Sequence, residues 1–123
     1  MLLNMFLSRP CSLLEISMLY QFTQEKLHAI EQQLRALNIW SLAHPSDAAM
    51  ASTAPFACDL MPLEQWLQFI FLPKMQAIIQ QRQALPSNIA IAPMAQYVWK
   101  NKHDYQPLIF LLNDLDTLLN DAS

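Results

Sequence analysis

The chain has 123 residues, a formal net charge of −3, 14% charged residues and no glycine. That length is one domain, able to bury about two-thirds of its unfolded surface. Without glycine it carries no P-loop, no Rossmann fingerprint and no glycine-flanked nucleophile elbow, because those loops need positive φ or a close backbone approach to phosphate.

The rest of the composition points to helices. Val, Ile and Thr together number 13 against 21 Leu. With so few β-branched residues, and no glycine for tight hairpin turns, a sheet is not expected. The basic residues Arg9, Lys26, Arg35, Lys74, Arg82, Lys100 and Lys102 form no run. Tight binding of nucleic acid by this chain alone is therefore disfavoured. Apolar residues make up 54%. Still, no stretch approaches the roughly 18 apolar residues of a membrane span. Surplus apolar composition suits an exposed patch for a partner or a second copy; the competing reading is a tightly packed monomer with an Ala- and Gln-rich surface. Cys11 and Cys58 form no CxxC pair and sit in no Cys/His cluster of zinc spacing. A reduced, cytoplasmic protein without metal or cofactor is expected.

Residues 1–17 do not read as a signal peptide, since they lack a positive n-region and a small-x-small cleavage site. We expect a doubtful extension over 1–17 with the domain beginning at Met18; the other reading is an extra helix from Ser12. Tyr20, Leu27 and Leu34 recur every seven residues, and Thr23, Ile30 and Leu37 repeat the pattern three positions on. This spacing predicts a helix over 19–38, with Glu31 and Arg35 paired on its solvated face.

Residues 41–61 form a long connector with His-Pro, Ser-Asp and Ala-Pro breakers. Asp47 to Ala51 can form one helical turn. Trp40, Phe56 and Met61 argue that the connector packs. A second helix is expected from about 59–62, with Asp59 as N-cap and Pro62 in the first turn. Its segment Leu63–Leu72 is apolar nearly all round, which predicts a central position in the core. Pro73 should kink it. The stripe resumes at Met75, Ile78 and Ile79 and ends at Leu85-Pro86. A short crossing over 87–92 leads to a third helix opened by Pro93. Asp104 is expected to cap a fourth, with Pro107 in its first turn and a stripe of Leu108, Leu111, Leu112, Leu115, Leu118 and Leu119. Asp116 reads as part of the solvated face. The expected architecture is an all-α four-helix bundle over 18–123, with a long connector after helix 1 and a proline kink in helix 2.

Several stretches resemble the YqcC-like family of small bacterial helical proteins. They are Leu34-Arg35 with Trp40, Pro55-Phe56-Ala57-Cys58-Asp59, Trp66-Leu67-Gln68, Leu72-Pro73-Lys74-Met75, Leu85-Pro86, Ala92-Pro93 and the C-terminal leucine helix. The resemblance covers about 24–123 and is most specific from Pro55 to Met75. It implies a compact all-α bundle of YqcC-like type and supplies no catalytic residues. It also implies an association with tRNA pseudouridine synthase C. Pseudouridine synthases use an Asp in an Arg-Leu-Asp-type motif on a mixed α/β fold. This chain has no Arg-Leu-Asp. Synthase activity by this chain alone is therefore not expected.

Two clusters are candidate contact sites. Trp40, Pro55, Phe56, Asp59 and Trp66 could present an aromatic surface with one acid to a protein partner; the competing reading is an N-cap plus core aromatics. Lys74, Arg82, Lys100 and Lys102, with Tyr97 and Trp99, interleave basic and aromatic groups as an RNA contact would; the competing reading is dispersed, solubilising surface charge. Cys58 reads as a buried structural thiol, with a nucleophile as the lesser reading. His28, His44 and His103 have no helical pair spacing for a metal. The leading expectation is a non-catalytic, cytoplasmic accessory factor that binds a protein, a tRNA pseudouridine synthase or itself. The alternatives are an RNA-contacting factor and a small enzyme using the 41–61 connector.

Overall fold

A computed structural model describes residues 13–121. Expectations that fall on residues 1–12, Cys11 among them, lie outside the described residues. In chain order the elements are α1 (Leu13–Ala36), α2 (Asp47–Met50), a 3-10 turn (Pro55–Ala57), α3 (Leu63–Trp66), a π-helical turn (Leu67–Phe71), α4 (Leu72–Gln80), α5 (Ile91–Val98), a second 3-10 turn (His103–Tyr105) and α6 (Gln106–Asp121). The described residues are all-helical, with no strand among them. The division into helices is finer than four. The expected second helix is α3, the π turn and α4 end to end, and α2 is an added single turn capped by the Ser46 hydroxyl.

Helix α1 begins earlier than the periodicity predicts and ends at Ala36. Its buried face is Tyr20, Thr23, Leu27, Ile30 and Leu34. Glu31 and Arg35 pair on the outer face at 3.1 Å. The helix stops where Asn38 takes φ 59°. There the Ile39 N–H donates back to the Leu34 carbonyl at 3.1 Å. Helix α4 ends the same way, with Arg82 at φ 54° and the Gln83 N–H on the Ile78 carbonyl at 3.0 Å. This left-handed cap ordinarily uses glycine. Asn38 and Arg82 fill it in a chain that has none.

Asp59 does not cap the second helix. Helix α3 starts at Leu63 with Pro62 as its N-cap residue. Asp59 lies one turn upstream, where its carboxylate accepts from the Ser52 hydroxyl at 2.6 Å. At the other end of α3 the ladder widens: the Leu72 N–H donates to the Leu67 carbonyl, five residues back. The next residue is Pro73, which has no N–H and whose ring would crowd the carbonyl four residues back. The π turn stands where that ring needs room. It also rotates the helix surface. Leu63, Leu67, Phe71, Leu72 and Met75 are buried, whereas Trp66, Phe69 and Ile70 are half-buried. The segment is thus less enclosed than its all-round apolar sequence predicts.

Helix α6 packs against both α1 and α5. Leu108, Leu112, Leu115 and Leu119 are buried with Leu27, Ile30, Leu34, Leu67 and Met75 in the main core. Each such side chain stabilises by about 1.5–3 kcal/mol. Helix α5 starts at Ile91, so Pro93 falls in its first turn. The turn His103–Tyr105 runs directly into α6 and contains Asp104, in place of a separate capping residue. Asp116 is not on a solvated face. It is 7% exposed, and its Oδ2 accepts the Ala92 N–H at 2.8 Å across the bundle.

Candidate functional site: an aromatic-walled groove

The two long connectors are tied down by the same device. Gln68, inside the π turn, accepts the Ser41 N–H and donates to the Ser41 carbonyl, both at 2.7 Å. Asn120, on α6, accepts the Ile89 N–H at 2.9 Å and donates to the Ile89 carbonyl at 2.8 Å. A carboxamide carries both a donor and an acceptor and can satisfy one residue's backbone completely. Gln68 fixes the start of the 41–61 connector, and Asn120 with Asp116 fixes the crossing that leads into α5.

Between these fixed segments lies a half-open groove of about 500 Å³. Phe56, Trp66, Ile70, Met75, Ile78 and Ile89 are among the residues that line it. The Phe56 ring meets Trp66 edge-on at 4.8 Å, and Trp66 stacks on Phe71 at 5.3 Å. Offset and T-shaped pairs of this kind contribute about 0.5–1.5 kcal/mol beyond their buried area. The backbone that delivers Phe56 is strained: Phe56 has φ 57° and Ala57 φ 49°. Neither residue is suited to the left-handed region. Such outliers persist where surrounding structure enforces them, and they cluster at functional sites.

Among the described residues, Lys74 is the one charged residue lining the groove. It is exposed and forms no ion pair among the described residues. Asn88, also exposed on the lining, makes no hydrogen bond among the described residues. Phe56 separates this groove from a smaller cavity of about 280 Å³ lined by Cys58, Met61, Met94, Trp99 and Lys102. A third, shallow depression of about 930 Å³ runs between α1 and α6 beside Phe22 and the Lys26–Asp114 ion pair at 3.4 Å.

Of the predicted aromatic surface, the structure brings Phe56 and Trp66 into this groove. Pro55 opens the 3-10 turn that carries Phe56. Trp40 packs against the main core, with the Arg35 guanidinium 4.2 Å above its ring. Asp59 is exposed on the connector and does not line the groove. The basic set is dispersed. Lys74 is on the groove, and Arg82 sits over Tyr20 at 5.0 Å. Lys100 lies over Tyr97 at 5.3 Å and Lys102 over Tyr105 at 6.0 Å. Burial pushes the Tyr105 phenol above its ordinary value of 10.0, and the nearby Glu64 and Asp104 carboxylates add to the shift.

Cys58 is exposed, which corrects the expectation of a buried thiol. The turn Pro55–Ala57 puts it just past the strained pair, at the rim of the smaller cavity. His44, the histidine of the same connector, meets Phe69 edge-on at 5.0 Å and bonds the Pro45 carbonyl at 2.8 Å. Among the described residues no group of three or more His, Cys, Asp or Glu is placed to hold a metal. No described helix is long and apolar enough to cross a membrane. The clamping roles of Gln68 and Asn120 are not legible in the sequence, and Asp116 reads there as solvated face. Their available signal was a polar residue interrupting an apolar helix.

The fold and groove define a small all-helical protein with an aromatic-walled surface cleft. The chain belongs to the YqcC-like family: residues 22–118 match the family model DUF446, whose description is tRNA pseudouridine synthase C. It is 35% identical to an uncharacterized protein of Haemophilus influenzae over 80% of this chain and 93% of that one. It is 33% identical to the uncharacterized protein YqcC of Escherichia coli K12 over 78% and 89% of the two chains. The solution NMR structure of E. coli YqcC superimposes with a TM-score of 0.75 at 29% identity, covering 85% of this chain and 91% of that one. A Pectobacterium carotovorum protein named tRNA pseudouridine synthase C is 35% identical over 64% of this chain. The match spans only 21% of that longer protein, so its name describes a polypeptide mostly without a counterpart here.

Proposed function

We propose that this chain is a non-catalytic accessory factor that binds a tRNA pseudouridine synthase in the cytoplasm. The reading treats α1, the α3–α4 pair, α5 and α6 as the helices of one four-helix domain. The observation that carries it is the groove, an apolar, aromatic-walled cleft held open by fixed connectors and presented to solvent. Clefts of this kind serve as protein contact surfaces. The Pectobacterium relative supplies the class of partner. There, a segment like this one occupies about a fifth of a chain named as a synthase. Two functions joined in one polypeptide have a high effective concentration for each other. Separate chains need a docking surface to achieve the same.

The test is co-purification of the tagged chain with the synthase from the source organism, with and without nuclease. A complex that survives nuclease supports the reading. A synthase that does not bind purified protein at micromolar concentration overturns it.

A second reading rests on the two cation–aromatic pairs, Lys100 over Tyr97 and Lys102 over Tyr105. Bases stack on such platforms, and Lys neutralises phosphate. This reading expects salt-dependent retardation of tRNA that is lost when Lys100 and Lys102 are both changed to Ala.

A further inference from the structure

The geometry points to the groove as the docking site for one amphipathic segment of the synthase, with an acidic side chain of that segment meeting Lys74 and Asn88. This inference rests on the partner reading above and specifies which surface and which chemistry make the contact.

The argument starts from what the groove offers. Its lining is apolar and aromatic apart from Lys74 and Asn88. The ammonium has no carboxylate to answer it among the described residues, although the whole chain is acidic, with net charge −3. An unpaired cation beside apolar walls is complementary to a segment that is apolar on one side and carries an acid. The Asn88 amide can donate to the same carboxylate. The pairing would be charge-assisted and set the register of the segment.

The backbone geometry narrows the mode. No strand exists among the described residues, so there is no sheet edge for an extended peptide to extend. Lys74, Met75 and Ile78 of α4 line the half-open groove, and a stripe of apolar side chains at helical spacing is the mode left to a partner segment there. Trp66 and Phe56 form the anchoring end. Aromatic anchors in pockets supply most of the binding energy of such contacts. The strained turn at Phe56 and Ala57 keeps that end pre-formed, which reduces the ordering cost of binding.

The test titrates the full chain into the full-length tRNA pseudouridine synthase C of the same organism, read by Trp fluorescence and calorimetry. Lys74→Glu should weaken binding about tenfold or more, because it sets a like charge against the partner's acid. Lys74→Gln should weaken it less. Lys74 is exposed, so neither change should alter the melting temperature. Lys100→Glu, away from the groove, should bind as the wild type does. If the wild type binds and both Lys74 variants bind equally well, the groove inference is overturned while the partner reading stands. Weakening by Lys100→Glu instead of Lys74→Glu also overturns it and moves the contact to the Tyr97–Tyr105 face. No binding by the wild type overturns both.

Discussion

Asp116, buried near the end of α6, caps α5 across the bundle: its Oδ2 accepts the N–H of Ala92, 24 residues earlier in the chain, at 2.8 Å. Ala92 is in the first turn of α5, where backbone N–H groups have no intrahelical partner. The negative charge also lies at the positive end of that helix. One residue therefore does by tertiary contact what a Ser or Asp at Ala90 would do locally. Asn120, one turn further along α6, holds Ile89 through both of its backbone groups. Ile89, Ala90 and Ile91, in the stretch they hold, line the groove.

Changing Asp116 to Ala should cost about 1–3 kcal/mol, the penalty of leaving a buried N–H without its acceptor. Asp116→Asn should cost less, because an amide oxygen can still accept from Ala92. Urea unfolding followed by circular dichroism measures both. A cost below about 0.5 kcal/mol for the Ala variant would show that the cap is not used in solution.

Gln68 makes an equivalent prediction at the other connector. Gln68→Ala removes both bonds to Ser41 and should cost about 2 kcal/mol, at about 1 kcal/mol per hydrogen bond. Amide exchange at Ser41 should accelerate with it. Protected exchange at Ser41 in the variant would contradict the clamp.

The strained turn inverts a common rule. Ala57 is buried with φ 49°. Ala57→Gly should stabilise the protein by about 0.5–1 kcal/mol, since relief of a left-handed residue (about 1–2 kcal/mol) exceeds the entropic cost of glycine. Phe56→Gly should for the same reason be more stable than Phe56→Ala. Thermal melts of the three variants decide it.

Trp66 is half-buried between Phe56 and Phe71, so Trp66→Ala should cost about 2–4 kcal/mol, toward the lower part of the range for buried aromatics. A cost near zero combined with lost synthase binding would make Trp66 an interface anchor with no structural duty.

Tyr105 gives a pH dependence. Its phenol is held protonated to higher pH in the folded chain than in the unfolded one. The unfolded chain then binds fewer protons above about pH 10, and stability falls as pH rises through that range. Below pH 10 the contribution is fully present. Tyr105→Phe should flatten the alkaline part of the stability curve. Absorbance titration of the phenols, compared between the two proteins, should show one phenol that titrates above its ordinary value missing in the variant.

The sequence by itself determined the helical class, because helix propensity, apolar spacing and the absence of glycine act locally. Heptad-spaced Tyr20, Leu27 and Leu34 became the buried face of α1, and Leu108, Leu112, Leu115 and Leu119 that of α6. Pro62 and Pro93 stand at helix starts because a missing N–H does no harm there. Pairing of Glu31 with Arg35 followed from spacing alone.

Other features depended on partners distant in the chain, and only the tertiary structure decided them. Asp59 precedes α3 and Asp116 lies within α6, and the first answers Ser52 on the surface while the second is buried as a cap for α5. The local sequence places Asp59 in a connector and Asp116 in a leucine-striped helix, but it does not say what either carboxylate will meet. The groove draws its walls from residues near 56, 66–78 and 84–91, and their meeting depends on how Gln68 and Asn120 tie the connectors. Whether Lys74 is paired or free is settled by what folding brings beside it. Periodicity reports which face of a helix is apolar; the register of one helix against another decides which polar residues are enclosed with it.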